Sequence, residues 1–507
     1  MRYGFVIDQN RCIGCHACTV ACKEEHNIAV GVNRTWVKYI EKGRYPDTRR
    51  HFAVLRCNHC DAAPCIEICP TVALFRRRDG IVDFDSERCI GCKSCMQACP
   101  YDALYIDPNK NTAAKCNFDA SRVEMGYKPA CEVVCPTQAI ISGYLDDAQS
   151  RISQIIATEK VAARKPEKGT RPKLFYVGVD GDLLQPTMME PQDGYLWGVK
   201  QPGEDLYALS EGNPERSIPG VAREVYDVPH LTPWGKKIAS YLWTKSIAAG
   251  ILIVAAMLLN LGFDQDDVVL DLASPALALI FLAITMALLV LDLKKPGRFY
   301  YILFKPNLRS WLVWGGYALL IYGVLAAAWL FYSIGEGAIP PWLFWSSAVA
   351  GVASAGYSAF LFGQAKGRDL WQSPLLFWHL LVQAVAAGTA VLLIAGSLLD
   401  ATLDLYILLN KWLAIALLLS LAMILGEVWG SHRSEEVKRA TELLTRGALS
   451  KQFWILAIAA GVVLPFALLI WASEFVWGAI AAAVLALFGL WMYEHLWIKA
   501  GQAVPLS

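Results

Sequence analysis

Twelve of the fifteen cysteines form three complete quartets: Cys12, Cys15, Cys18 and Cys22; Cys57, Cys60, Cys65 and Cys69; Cys89, Cys92, Cys95 and Cys99. The first and third read C-x2-C-x2-C-x3-C. This spacing wraps three thiolates around one iron–sulfur cube and sends the fourth to a neighbouring cube. Soft sulfide-bridged iron calls for soft thiolate ligands, and loops this short turn backbone amides toward the cluster sulfurs. Zinc is the competing reading. A zinc site closes with two CxxC pairs, however, and gives no reason for a third cysteine two residues on or for the Cys-Pro ending.

Applying the crossed pairing of two-cluster ferredoxins twice nests the outer and inner blocks. Cys57, Cys60 and Cys65 then take Cys99, Cys89, Cys92 and Cys95 take Cys69, and Cys12, Cys15 and Cys18 take Cys135. The last site holds Cys22, Cys116 and Cys131, with Asp119 where a fourth thiol is expected. A carboxylate is a harder, weaker ligand for cluster iron, so the corner iron is the one most easily lost. Three [4Fe-4S] clusters are expected, plus a fourth that is [3Fe-4S], the favoured form, or an Asp-ligated [4Fe-4S]. The alternative is that Asp119 caps a turn and the fourth site is empty.

A second set of chemical groups lies in the apolar half: Lys245, Asp292, Gln364, His379, Gln383 and Glu427. Burying them in hydrocarbon is costly without a role. Most are placed at one depth, on the leaflet facing the cysteines, and His379 and Gln383 share a helix face four residues apart. A lipid-soluble carrier of two electrons and two protons needs an apolar slot with titratable groups beside its oxygens, and a quinone fits. Lys245, Asp292, His379 and Glu427 are the proton-exchanging candidates; Lys245, Asp292, Gln364, His379 and Gln383 are the binding candidates. Competing structural roles are snorkelling for Lys245, a helix cap or pairing with Arg298 for Asp292, and pairing with Arg433 for Glu427. Only His379 among the histidines lies within a span, so no two-histidine haem is expected. Asn410 and Lys411 sit toward the far side, for a proton path or for packing.

These groups need two kinds of scaffold. Short alternating runs, "GIVDFD" (80–85) and "ALYID" (103–107), read as hairpin strands beside short helices. The fold class is therefore α+β, a doubled ferredoxin-like head with four clusters over residues 1–150, with 24–56 as an insertion. Residues 151–235, rich in Pro, Gly and basic residues, read as an extended linker. Residues 236–507 read as an all-α bundle of eight transmembrane helices near 243–263, 273–291, 311–333, 342–363, 374–399, 405–426, 452–472 and 475–493. Tryptophans such as Trp311, Trp342, Trp412 and Trp471 stand at their ends. The loops on the head's side carry Lys294, Lys295, Arg298, Lys305, Arg309, Lys366, Arg368, Arg433, Lys438, Arg439, Arg446 and Lys451, while the opposite loops carry only acids. By the positive-inside rule, the head faces the cytoplasm at the inner membrane.

Composition agrees with this division. Every cysteine precedes residue 136, and fifteen of eighteen tryptophans follow residue 236. A net charge of +1 with no basic aromatic stripe gives no footprint for nucleic acid. The opening "MRYGFVIDQNRC" shows no export signal, which leaves the thiols free for metal rather than disulfides.

The four cysteine blocks resemble, in the same order, those of the four-cluster electron-transfer subunits of the dimethyl sulfoxide reductase and polysulfide reductase families. Residues 236–507, through "YLWTKSIAAG", "DLKKPGRF" and "GQAVPLS", resemble the NrfD-type eight-helix quinone-binding subunit. The resemblance implies an iron–sulfur and quinone-reactive subunit of a multisubunit respiratory oxidoreductase, exchanging electrons with the membrane quinone pool in the lipid bilayer. It also implies a separate catalytic subunit holding molybdopterin or tungstopterin and the substrate site. The alternatives are a hydrogenase or multihaem cytochrome partner, or redox-driven ion translocation. Asp119 and the fusion of the two halves depart from the family pattern.

Overall fold

The computed structural model describes residues 2–44, 46–179, 181–190, 222–230, 232–263, 267–335, 338–399, 401–430, 434–471 and 475–507. Asp264, Asp266, Glu336, Asp400, Arg433 and most of the Pro/Gly-rich stretch after residue 190 lie outside them.

The head is organised by β1 (Tyr3–Asp8), whose Phe5, Val6 and Ile7 are at most 1% exposed because both faces are covered. Two long strands, β2 (Thr35–Arg44) and β3 (Asp47–Arg56), form an antiparallel hairpin pairing Thr35 with Arg56 and Arg44 with Asp47. Two small hairpins follow: β4 (Leu74–Arg76) with β5 (Val82–Phe84), and β6 (Leu104–Ile106) with β7 (Ala113–Lys115). Both runs expected as strands are therefore strands. β8 (Ile140–Tyr144) is antiparallel to β1.

The segment 151–235 is less of a tether than its composition suggests. It contains helix Arg151–Thr158, β9 (Val161–Ala162) and β10 (Leu174–Val177), and β10 runs parallel to β1 to give the order β8-β1-β10-β9. The "LFYV" run buries Leu174 and Tyr176 completely, and this burial outweighs the surrounding Lys, Pro and Gly. β11 (Met189–Glu190) and β12 (Ala222–Tyr226) extend the β2–β3 hairpin, so residues 24–56 and 222–226 contribute to one four-stranded sheet. Short helices α1 (Ala17–Glu25), α2 (Pro64–Ile68), α3 (Ser94–Ala98), α4 (Ala120–Glu124) and α5 (Ala130–Val133) each carry cysteines or follow a cysteine loop.

With Arg151–Thr158 as α6, the body comprises α7 (Lys236–Asn260), α8 (Val269–Asp292), α9 (Trp311–Ile334), α10 (Pro341–Gln364), α11 (Leu376–Leu398), α12 (Leu403–Trp429), the amphipathic α13 (Glu435–Thr445), α14 (Gln452–Trp471) and α15 (Val476–Ala503). Seven described helices are long and apolar enough to cross a membrane. The other long one, α10, has their length but is diluted by Ser346, Ser347, Ser354 and Ser358. α7 is almost wholly buried at the centre, while α8 and α9 expose most of their surface. Gly250 of α7 meets Gly388 of α11 backbone to backbone, where any Cβ would overlap the facing helix. Small residues let membrane helices approach this closely, and dispersion contacts then hold them together.

Two spans differ from expectation at their ends. α7 begins at Lys236, which puts Lys245 about 14 Å inside the helix rather than at its mouth. α15 continues past 493 to Ala503 and carries Glu494, His495 and Gln502 into the buried interior.

Candidate electron-transfer and quinone site

All fifteen cysteines are free thiols. Cys12 interacts with Cys15 and Cys135, and Cys18 with Cys12. Cys22 interacts with Cys116 and Cys131. Cys65 is beside Cys57, Cys60 and Cys99; Cys95 is beside Cys69, Cys89 and Cys92. Among the described residues, no three His, Cys, Asp or Glu side chains converge as ligands of one metal ion would. Thiolates around a cube each bind a different iron and so stand apart.

The loops between them are shaped for an anionic group. Gly14, His16, His59, Gly91, Lys93, Phe118 and Asp119 all have positive φ, from 44° to 72°. Successive turns of this kind point N–H groups into a concavity that favours anions. The amides of His59, Ala113, Phe118 and Ala139 point at the sulfurs of Cys57, Cys89, Cys116 and Cys135, at 3.2–3.5 Å. Burial pushes the Cys18, Cys99 and Cys116 thiols up to about 11. Thiols in that range stay protonated at neutral pH, and a bound metal displaces the proton.

Arg56 gives the strongest fit test. It is fully buried, its Nη1 donates to Cys131 Sγ at 3.1 Å, and its Nε and Nη2 have no partner. Cys18 and Cys116 also face it. A buried guanidinium among thiols, with donors to spare, suits thiolate-ligated clusters carrying net negative charge.

Asp119 turns toward the following loop. Its Oδ2 accepts from the Ala130 amide at 2.9 Å and lies 3.7 Å from Arg122 Nε. Its Oδ1 lies 3.7 Å from His26 Nε2 and has no hydrogen-bond partner.

Among the places where the body grips the head, one surrounds a set of thiols. Asn307 donates to the carbonyls of Pro70 and Cys69, both at 2.8 Å, and Ser310 Oγ donates to Ile68 O at 2.7 Å. Arg298 Nη1 donates to Ser86 O and Cys89 O, and the amides of Lys294 and Lys295 donate to the carbonyls of Gly91 and Ile90. Lys93 pairs with Asp292 at 2.8 Å. Trp234 Nε1 donates to Cys92 O at 3.4 Å, and its ring stacks at 5.4 Å on Trp371, which lies 5.9 Å from Trp497. Every one of these contacts falls on the loops around Cys69, Cys89, Cys92 and Cys95. At the other end of the head, Cys15 is exposed.

Inside the body the polar candidates separate. His379 and Gln383 come together at 3.1 Å, with His379 Nε2 accepting from the Gln383 amide. That leaves a proton on Nδ1, which faces Glu427 Oε2 at 3.4 Å. Glu427 also accepts from Ser373 Oγ and Tyr493 OH. Lys245 forms a second group, donating to Ala355 O and Ser358 Oγ at 2.8 Å beneath the Tyr357 ring. Asp292 belongs to the head junction through Lys93, not to Arg298. Gln364 caps α9, accepting from the Trp311 amide at 3.0 Å and donating to Arg309 O at 2.7 Å.

Two residues absent from the sequence-based set belong here. Tyr493 packs on His379 with ring centroids 5.3 Å apart and reaches Glu427. Glu494 is 2% exposed, neither of its oxygens has a hydrogen-bond partner, and it interacts electrostatically with Lys245. The run "WMYEHLWIKAGQ" contained the signal, a carboxylate in apolar sequence, but a span ended at 493 leaves Glu494 outside it. A cavity of about 30 Å³, room for one water, lies between Gln383, Ser420 and Tyr493.

Comparison with known proteins matches three family models: a 4Fe-4S binding domain over residues 3–24, a 4Fe-4S dicluster domain over 49–145, and Polysulphide reductase, NrfD, over 224–505. A tetrathionate reductase subunit of Salmonella typhimurium is 42% identical over 200 residues, covering 39% of this protein and 80% of the relative. A polysulfide reductase component of Wolinella succinogenes is 40% identical over 179 residues, 35% of this protein and 94% of the relative. The putative dimethyl sulfoxide reductase iron-sulfur subunit of Halobacterium salinarum is 34% identical over 262 residues, 45% of this protein and 95% of the relative. The NrfD match spans more than half of the sequence. A ferredoxin-type iron–sulfur head and a multi-pass membrane body thus share one polypeptide, and this protein belongs to the polysulphide reductase NrfD family.

Proposed function

We propose that this protein carries electrons between a catalytic subunit docked on its head and a quinone in its membrane body, as part of a respiratory oxidoreductase complex. The observation that carries this reading is the asymmetry of the head. The thiols around Cys12, Cys15 and Cys135 are open to a partner, whereas those around Cys69, Cys89, Cys92 and Cys95 are clamped onto the helices. Clusters at these sites supply single-electron carriers. In this reading two ferredoxin-like units hold three [4Fe-4S] clusters on the cysteine sets paired above. The Cys22, Cys116 and Cys131 site holds a [3Fe-4S] cluster, because the Ala130 amide and Arg122 already draw the Asp119 carboxylate, through its Oδ2, toward the following loop.

Quinone reduction also needs protons, and two groups are placed to handle them. His379, held by Gln383, Glu427 and Tyr493, presents an imidazole whose second nitrogen faces a carboxylate, an arrangement that passes a proton between base and acid. Lys245 on α7 and Glu494 on α15 are a second buried base and acid, close enough to feel each other's charge. In this reading α10 is the eighth span, completing an even number that puts both ends of the body and its basic loops on the cytoplasmic side. The partner is a molybdopterin- or tungstopterin-containing subunit, by analogy with the reductases named for the relatives above.

The test is a redox titration of the purified protein followed by electron paramagnetic resonance. Four clusters, one of the [3Fe-4S] type, that a quinol reduces or a quinone reoxidises are expected. Clusters that no quinone can reoxidise would refute the proposal.

A further inference from the structure

The body contains a second cavity, of about 640 Å³, at the end away from the head. It lies between the end of α11, the start of α12, the end of α14 and the start of α15, and Leu403, Ile407, Leu469 and Ile470 give it apolar walls. That size accommodates a ligand of several hundred daltons.

Two polar residues line it with unmet needs. Asn410 is 6% exposed; its Nδ2 donates to Tyr406 O at 2.9 Å, and its Oδ1 has no partner. A buried carbonyl left without a donor costs about 1–3 kcal/mol. Beside it, Lys411 is exposed on the helix surface and has no acidic partner among the described residues. A lysine there must reach the interface or meet an anion.

The mouth has a definite depth. Ile470 and Val476 line the cavity, and their neighbours Trp471 and Trp477 are 84% and 77% exposed, as at a headgroup boundary. Lys411 and Glu427 stand sixteen residues apart on α12, about 24 Å along the helix, so a carrier bound here sits far from the clusters.

We propose that this cavity is a phospholipid site, filled from the leaflet opposite the head by an anionic lipid whose headgroup carries a hydroxyl, of the phosphatidylglycerol class. Lys411 takes the phosphate, Asn410 Oδ1 accepts the headgroup hydroxyl, and one acyl tail lies along the apolar wall. The site is independent of the quinone site and of the electron path.

Native mass spectrometry of the purified full-length protein tests it, with dioleoyl phosphatidylglycerol, dioleoyl phosphatidylcholine and decylubiquinone as probes. The wild type should hold one phosphatidylglycerol in preference to phosphatidylcholine, which lacks both the hydroxyl and the net negative charge. Lys411→Ala should weaken that binding about tenfold or more, and Lys411→Arg should restore it. Asn410→Leu should narrow the preference between the two lipids to the part that Lys411 supplies by charge, and Lys451→Ala, on the head side, should change nothing. Unchanged binding in Lys411→Ala, or displacement of the lipid by decylubiquinone, would overturn the assignment.

Discussion

The two ends of the head use the same thiol chemistry in opposite settings. Around Cys12, Cys15 and Cys135 the loop lies open and Ile13 is 56% exposed. Around Cys69, Cys89, Cys92 and Cys95, main-chain carbonyls that would bind water are taken by Asn307, Arg298, Ser310 and Trp234 of the body. In the crossed pairing each cysteine block supplies most of one site and a ligand to its neighbour, so the sites are tied to one another whatever the membrane does. Which site meets the membrane is decided by hydrogen bonds from residues more than 140 positions away. The two termini of a protein wire become distinct because its fold covers one and leaves the other bare.

That contrast can be broken most sharply by removing a ligand from each end. Cys95→Ser should reduce quinone turnover about a hundredfold whichever donor feeds the head. Cys15→Ser should abolish turnover from the physiological partner yet leave much of the rate from a small soluble reductant, which can reach the inner sites. Steady-state assays with both donors check this. Equal losses in both variants with both donors would remove the distinction between the termini.

Next in size is the group proposed to handle protons, beyond the covered end. Glu427→Gln keeps hydrogen-bond capacity toward Ser373 and Tyr493 but removes the charge facing His379. Turnover should fall between about tenfold and a hundredfold, while cluster reduction by a soluble donor stays at the wild-type rate. A rate within about twofold of wild type would move the proton route to Lys245 and Glu494.

Sequence made one side of this comparison legible and hid the other. The cysteine blocks stand out as ferredoxin-type iron–sulfur motifs from spacing alone, because ligation constrains the residues within each block to lie two to four apart. Asp292 could not be assigned, because its partner Lys93 is about two hundred residues away and stands inside a cysteine motif where its charge reads as incidental. Gln364 read as a quinone contact since a polar residue at a span's end has the same signature whether it faces a ligand or caps the next helix, as it does for α9. β10 was masked by the Pro and Lys before and the Gly after four apolar residues, and only the edge of β1 explains it. Glu494 was lost to a helix end placed ten residues short, since hydropathy fades where α15 passes under the head.

The ion pair at the covered end is the third lever. Lys93 and Asp292 have side chains only 8% and 12% exposed, so Asp292→Asn leaves a buried ammonium without its counter-charge. The expected cost is about 3 kcal/mol. It should appear as faster proteolysis between head and body and as slower reoxidation of the clusters by quinone, with the open end unaffected. Replacing both residues by a matched apolar pair should recover much of the loss, because the penalty arises from the stranded charge.

The smallest effect separates the two ends by pH. His230 docks beside the covered end: its Nδ1 lies 2.5 Å from Asp102 Oδ2 and its Nε2 3.6 Å from Asp227 Oδ1. Burial opposes its charge, but Asp102 and then Asp227 outweigh burial and hold its pKa up at about 10. Because the folded value lies above the ordinary value of about 6.5, the stabilisation is complete below pH about 6.5 and is lost as pH rises through about 10. Asp102 and Asp227, whose values His230 helps depress, act in the opposite window and lose their contribution only in acid. The side chain is 29% exposed, so solvent screening limits the gain to about 1 kcal/mol or less. The thermal midpoint of the wild type should therefore exceed that of His230→Gln by a steady margin near pH 6 and by a shrinking one toward pH 10. A margin that widens as pH rises would mean that the imidazole is neutral in the fold and contributes through packing alone.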